Sequence, residues 1–127
     1  MERSNIEHDL QERFETITGL NDFKIVLESV CDPHSYGEYF IEEREIHMYV
    51  LDDDGTWMDK RTIEQEALHE LAHHNQIHHT KRYTLTERTA HGYVFKKQFT
   101  RLLKRYYNGI VPGDIWENQR ERGYLVG

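Results

Sequence analysis

A chain of 127 residues is long enough to bury a core and has the size of one domain, so we expect a single domain over residues 1–127. It has no 18-residue apolar stretch and no apolar segment near its start, which excludes a membrane span and a secretory signal. A net charge of −7 argues against general nucleic-acid binding, and the lone Cys31 excludes an internal disulfide. We expect a monomer in the reducing cytoplasm.

The first half of the chain predicts one helix followed by three strands. Residues 4–19 place apolar side chains at helical spacing. Residues 23–30 are rich in branched side chains, and residues 36–41 and 45–51 flank a charged turn, which favours a small mixed sheet of about three strands. Residues 52–55 lack the ligand spacing of a calcium loop and therefore predict a turn.

The second half predicts two long helices and a polar tail, so the expected fold class is α+β. The first of these helices contains residues 67–79 and begins near a capping box of Thr62 and Gln65. The second ends at Asn108 and has one apolar face, made of His91, Phe95, Phe99, Leu102 and Tyr106. The tail that follows Asn108 is expected to be too polar to form core.

The first long helix contains His69-Glu70-Leu71-Ala72-His73, an H-E-x-x-H motif. Residues four apart lie on one face of a helix, so two imidazoles can bind one ion. Glu70 lies about 100° round the helix from His69, within reach of a water molecule on that ion. The metal lowers the pKa of the water and the carboxylate accepts its proton, which is the arrangement of a zinc hydrolase. The alternative is a chance pair of surface histidines.

Most of the other histidines are expected to be solvated, namely His74, His78, His79, His8 and His34. The first three rotate away from His73 on an ideal helix, so they cannot join the same ion. His47 lies on a strand opposite Ile46 and is either a hydrogen-bonded structural residue or part of a cleft. We favour the structural role.

The H-E-x-x-H motif and a second segment together resemble a known family. Eighteen residues after His73 the chain continues His91-Gly92-Tyr-Val-Phe95. The pair resembles the SprT-like zincin metallopeptidases, which carry H-E-x-x-H and then an H-G-x-x-F segment that opens a helix. The likeness covers residues 36–106 and implies a zincin-like fold, with an extended peptide substrate along the strand at 45–51. The cysteine-rich zinc ribbon of some SprT-like proteins is not found, so the chain resembles a minimal catalytic domain.

By this resemblance three histidines bind zinc and Glu70 is the general base; the histidines are His69, His73 and His91. Glu87, Ala90 and His91 also resemble the E-x-x-A-D/N segment of gluzincins, in which the glutamate supplies the third ligand. Glu87 fits a capping box with Thr84 equally well. We favour His91 and keep Glu87 as the alternative.

The expected function is zinc-dependent hydrolysis of peptide bonds in a peptide or protein substrate. A binding module with a structural zinc ion is one alternative, and a nucleic-acid-associated protein is another. The latter depends on a local charge excess, because residues 80–108 hold 8 Lys and Arg against one acidic residue, while residues 1–79 hold 6 against 19. Weak nucleic-acid contact would use the basic side of the second long helix, namely Lys96, Lys97, Arg101, Lys104 and Arg105. A solvated helix face explains the same residues.

The tail supports a further hypothesis, because it is polar yet contains Trp116 and Tyr124 and follows directly on the second long helix. It would lie in the cleft, with Asp114 or Glu117 near the metal, and hold the enzyme latent.

Overall fold

The computed structural model describes residues 3–80 and 90–126. Within these ranges the elements follow the order α1 (Arg3–Thr18), β1 (Lys24–Glu28), β2 (Gly37–Phe40), β3 (Glu45–Tyr49), α2 (Lys60–His78), α3 (Tyr93–Tyr106) and α4 (Gly113–Glu121). The predicted α+β class is confirmed, with its N-terminal helix, its three strands and its two long helices. None of the described helices is long and apolar enough to cross a membrane.

The three strands form a mixed sheet in the order β1-β3-β2. β3 pairs in parallel with β1 and antiparallel with β2, so that Ile46 lies between Ile25 and Tyr39. The charged turn that joins β2 to β3 contains Arg44 at a φ of 56°. The expectation that residues 45–51 form the edge strand is wrong, because β3 pairs on both sides. The edge strand that contacts α2 is β2.

The core lies between one face of the sheet and the helices α1, α2 and α3. Strict alternation along β3 directs Ile46 and Met48 to the core, where both are fully buried. Most members of the apolar stripes predicted for α1 and α3 are also buried, namely Ile6, Leu10, Phe14, Phe95, Phe99, Leu102 and Tyr106. Ile17 is only partly buried, and His91 is exposed. Each large side chain so buried contributes roughly 1.5–3 kcal/mol. α2 is apolar on more than one side because it packs against both the sheet and α3.

Helix α1 closes the outer edge of the sheet at β1. The Glu7 carboxylate accepts a hydrogen bond from the backbone N–H of Leu27, and the Gln11 side-chain oxygen accepts one from Ile25, both at 2.8 Å. These side chains supply partners for strand N–H groups that would otherwise be open to pairing. Among the described residues, the remaining strand edge without a β partner is therefore that of β2.

The capping box predicted at Thr62 and Gln65 is wrong. Helix α2 starts at Lys60, and its N-cap Asp59 makes no side-chain capping hydrogen bond to the described part of the chain. Gln65 instead donates to the carbonyl of Arg61 at 3.1 Å and accepts a hydrogen bond from α4. The turn predicted at residues 52–55 is confirmed, with the N–H of Gly55 bonded to the carbonyl of Asp52.

The tail after Asn108 is not excluded from the core, contrary to the prediction. It forms helix α4, in which Ile115 is 2% exposed and Gln119 is 1% exposed. The Gln119 amide donates to the side-chain oxygen of Gln65 at 2.9 Å, which satisfies a buried polar pair. These two residues lie four positions apart and therefore on one face of α4, which packs against the domain together with the partly buried Tyr124 and Leu125.

Candidate active site

Three histidines converge at the junction of α2 and α3. His69 and His73 lie one turn apart on α2, and His91 lies two residues before the first residue of α3. The Nε2 atom of His91 is 3.1 Å from the Nε2 atom of His69 and 3.2 Å from that of His73. The structure thus brings together the three residues that the sequence singled out, and we call them the three-histidine site.

The geometry of the three-histidine site fits a tetrahedral metal ion. Nitrogen ligands bound at about 2.0–2.1 Å in tetrahedral geometry lie about 3.4 Å apart. The observed separations of 3.1 and 3.2 Å are close to that value. Nε2 of His91 can share one proton well with either His69 or His73, but not with both. A cation that accepts the lone pairs of all three nitrogens therefore suits this set of donors better.

The electrostatic surroundings keep the histidines in the neutral form that binds metals. Burial, with the positive charges of His73 and His91 adding to it, lowers the pKa of His69 to about 2. Burial also lowers the pKa of His73 to about 4, and burial with the nearby charge of Arg122 lowers the pKa of His91. Protons therefore compete weakly for these nitrogens at neutral pH.

Glu70 lies beside this site, between the two histidines of the motif. Its Oε2 atom is buried and has no hydrogen-bond partner among the described residues. Burial, reinforced by the negative charges of Glu66 and Glu38, raises the pKa of Glu70 to about 8. A buried carboxylate with a free oxygen and a pKa near neutrality has the properties of a general base.

Gln76 supports the three-histidine site, and sequence reasoning missed it. The side-chain oxygen of this fully buried residue lies 2.9 Å from Nδ1 of His73, so Nδ1–H donates and Nε2 keeps its lone pair for the site. Its amide group donates to the carbonyl of Ala90 at 3.2 Å, next to His91. The signal was present, since residue 76 lies three positions after His73 on the same helix.

The site opens into a cleft of about 530 Å³. His69, Glu70, His73 and His91 line it together with the segment 32–37, which leads into the edge strand β2. A smaller cleft of about 220 Å³ shares Glu70, His73 and His91 and is lined by β2 itself. Residues of β2 and the three-histidine site thus border the same depression, since the two clefts share Glu70, His73 and His91.

The C-terminal segment contributes Arg122 and Tyr124 to the large cleft. The Tyr124 ring lies 4.8 Å from the ring of His69 and 5.1 Å from that of His91. The guanidinium of Arg122 lies over the Tyr124 ring and forms an ion pair with Glu66. No periodic signal in the sequence marked either residue, because a chain reversal after α4 brings them to the cleft.

The tail thus reaches the cleft through Tyr124, as the sequence suggested, and through Arg122, but not through the two carboxylates. Asp114 pairs with Arg61 at 2.8 Å, and Glu117 pairs with Arg120 on the same helix. Both carboxylates are engaged at the surface and do not line the cleft. The hypothesis that one of them approaches the metal is wrong.

The other histidines divide into several groups. His74 is completely buried, so the expectation that it is solvated is wrong; its Nε2 atom is 2.9 Å from Asp22. His78 and His79 are partly exposed and hydrogen-bonded, His78 to a backbone carbonyl and His79 to Asp22. His47 is hydrogen-bonded to Glu45 and lines neither cleft, as the structural interpretation predicted. The two remaining histidines are exposed, namely His8 and His34.

Two further expectations concern the alternative third ligand and the basic side of α3. Glu87 and its cap partner Thr84 lie outside the described residues, so the rival third ligand stays a prediction. The basic residues of α3 are largely at the surface, but two have partners: Arg105 donates to the carbonyl of Ile17, and Lys104 lies over the Trp116 ring.

Comparison of the chain with protein-family models, with curated proteins and with solved structures finds no match. The likeness to SprT-like zincins therefore stays a prediction that depends on the motifs themselves.

Proposed function

We propose that the protein is a zinc-dependent metallopeptidase that hydrolyses peptide bonds, with the zinc held by His69, His73 and His91. The observation that carries this proposal is the convergence of three imidazoles beside Glu70 in an open cleft, with Nε2 of His91 at 3.1 and 3.2 Å from those of His69 and His73. Catalytic zinc requires three protein ligands and a position left open for water. The cleft supplies the access that a purely structural site would not need.

The edge strand β2 supports a peptide as the substrate. An extended peptide that pairs with an open strand edge gains backbone hydrogen bonds along its length. The described edge of β2 is unpaired and forms one wall of the depression that contains Glu70 and His73. A peptide paired there would pass over the three-histidine site, which places a backbone carbonyl near the reacting groups.

Each residue of the site has a separate chemical task. A bound zinc ion would lower the pKa of the attacking water and polarise the scissile carbonyl. The Glu70 carboxylate accepts the proton of that water and returns it to the leaving amine. Gln76 holds the tautomer of His73 through Nδ1. Among the described residues that line the cleft, Arg122 is the cationic side chain that can donate hydrogen bonds to a developing oxyanion.

The test is the substitution Glu70→Gln, which keeps the shape of the side chain and removes the proton acceptor. We expect zinc binding to persist and cleavage of casein or of a peptide library to fall about 10²–10⁴-fold. Glu43→Gln is the matched control, because it makes the same chemical change at an exposed residue of the turn between β2 and β3. It should cleave like the wild type.

The outcomes separate the peptidase from its alternative. Equal cleavage by wild type and Glu70→Gln would refute the assigned mechanism. Zinc binding without cleavage by either protein, over a library of varied sequence, would favour a binding module in which the zinc has a structural role.

A further inference from the structure

A second cluster of metal-binding side chains lies at the C-terminal end of α2. The Nε2 atom of His74 is 2.9 Å from Oδ1 of Asp22, and the Nε2 atom of His79 is 2.8 Å from Oδ2 of the same carboxylate. All three donor atoms lie within 4.8 Å of one another. Asp22 comes from the segment between α1 and β1, so the cluster joins two distant parts of the chain.

Two imidazole nitrogens and one carboxylate are a common ligand set for zinc. Zinc binds such atoms at about 2.0–2.2 Å, which separates them by roughly 3.3–3.5 Å in tetrahedral geometry. The observed nitrogen–oxygen distances of 2.9 and 2.8 Å are shorter than that by roughly half an ångström. Small outward movements would admit an ion, and the partly exposed side of His79 leaves room for water as a fourth ligand.

The orientation of His74 is already that of a metal ligand. Its Nδ1 atom is 2.6 Å from the hydroxyl of Tyr39, and its ring is fully buried against those of Phe23 and Tyr39. A metal-binding histidine usually donates its second ring N–H to such a partner, which fixes the ring and the tautomer. The Tyr39 hydroxyl can serve either neutral tautomer, since it both donates and accepts.

Arg44 pairs with the carboxylate of this cluster. Its guanidinium donates to Oδ2 of Asp22 at 2.8 Å, while its own side chain is 44% exposed. Exposed ion pairs of this kind contribute little to stability, so a divalent ion can displace the arginine towards solvent.

We propose that Asp22, His74 and His79 form a second divalent-metal site, selective for zinc-like ions, which ties the end of α2 to the segment before β1. This site does not depend on the proposed peptidase function. His73 and His74, which are neighbours in sequence, would then bind different ions on different sides of α2.

The test is the zinc stoichiometry of the folded chain, measured by equilibrium dialysis at micromolar free zinc. Wild type should bind two ions, His79→Ala one, His69→Ala one, and the double variant none. His78→Ala is the matched control, because His78 is the neighbouring histidine and its Nε2 atom bonds the carbonyl of Ile41 instead of the cluster. It should still bind two. Circular dichroism of each metal-free variant establishes that it is folded.

Two further measurements act on the second site alone. In the His69→Ala background, zinc at about a hundred times its dissociation constant should raise Tm by about 5–10 °C, and addition of His79→Ala should abolish the shift. Arg44→Ala removes the competing cation and should tighten zinc binding at this site by about 2–5-fold.

The proposal fails if His79→Ala binds as many ions as wild type, or if zinc does not shift the Tm of His69→Ala. If instead the three-histidine site binds no zinc, the stoichiometries would differ from these. Wild type and His69→Ala would then bind one ion each, and His79→Ala would bind none.

Discussion

Replacement of Gln76 by leucine tests how the three-histidine site is held together. The side chain accepts a hydrogen bond from Nδ1 of His73 and donates one to the carbonyl of Ala90, so it joins α2 to the residue before His91. Leucine has a similar volume but makes neither bond. Loss of a partner that orients a metal-binding histidine typically weakens binding about 10–100-fold, which corresponds to about 1.4–2.8 kcal/mol.

The same substitution should also lower the stability of the metal-free protein. It leaves a buried N–H of His73 and the carbonyl of Ala90 without this partner, and each unsatisfied group costs about 1–3 kcal/mol. Gln65→Leu is the matched control, because Gln65 is a buried glutamine of the same helix that hydrogen-bonds Gln119 and the carbonyl of Arg61. We expect it to lose comparable stability and to keep the zinc affinity of the wild type.

The assay is a competition titration of metal-free protein against a zinc-binding indicator, with urea unfolding of the same samples in a chelator. A zinc affinity of Gln76→Leu within about twofold of wild type would refute the orienting role of Gln76. Equal weakening in Gln65→Leu would show that lost stability, rather than lost orientation, accounts for the effect.

Four other predictions follow from the site and its surroundings. In a chelator, Glu70 should keep its proton in the native state and lose it in the unfolded state between the ordinary pKa of 4.5 and the raised pKa of about 8, so its own contribution to stability should fall as pH rises through that window. The histidines with lowered pKa act in the opposite direction below pH 6.5, so the contribution of Glu70 is read from the difference between wild type and Glu70→Gln. Glu70→Gln cannot ionise and should therefore have a higher Tm than wild type at pH 8 but not at pH 4; parallel pH profiles would contradict this. In zinc titrations, His91→Ala should abolish strong zinc binding, whereas Glu87→Ala should weaken the zinc affinity only about 10–100-fold. If Glu87→Ala abolishes binding and His91→Ala does not, the site is of the gluzincin type. Truncation after Asn108 should reduce stability by about 2–5 kcal/mol, since it removes the buried Ile115, and an unchanged Tm would contradict the packing of α4. If the basic face of α3 contacts nucleic acid, binding should weaken steeply with salt, and neutralisation of the face should remove that slope; the face consists of Lys96, Lys97, Arg101, Lys104 and Arg105.

Features with a local physical cause could be predicted from the sequence. The spacing of His69 and His73 places both on one face of a helix wherever that helix packs. The alternation of Ile46, Met48 and Val50 likewise identifies the buried side of a strand without knowledge of its neighbours. His91 could be directed to the site because it precedes an apolar stripe that had to be buried against another helix.

Features that depend on distant partners could not be predicted in this way. His74 looked solvated because it rotates away from His73, yet Asp22 and Tyr39 supply partners that let it be buried. Gln65 looked like a capping residue, but its side-chain oxygen accepts a hydrogen bond from the amide of Gln119 in α4. Both of these misassignments concern a polar side chain whose environment comes from another part of the chain.

The sequence by itself thus predicted the first helix, the three strands, the two long helices and the three histidines, because periodicity and hydrophobicity act within a single helix or strand. It did not predict the helix α4. Only the tertiary structure decided which strand is the open edge, since that depends on β3 pairing on both sides and on α1 covering β1. It also decided that Arg122 and Tyr124 line the cleft and that the second histidine cluster has a carboxylate partner. These contacts join residues far apart in the chain, and no local pattern in the sequence specifies them.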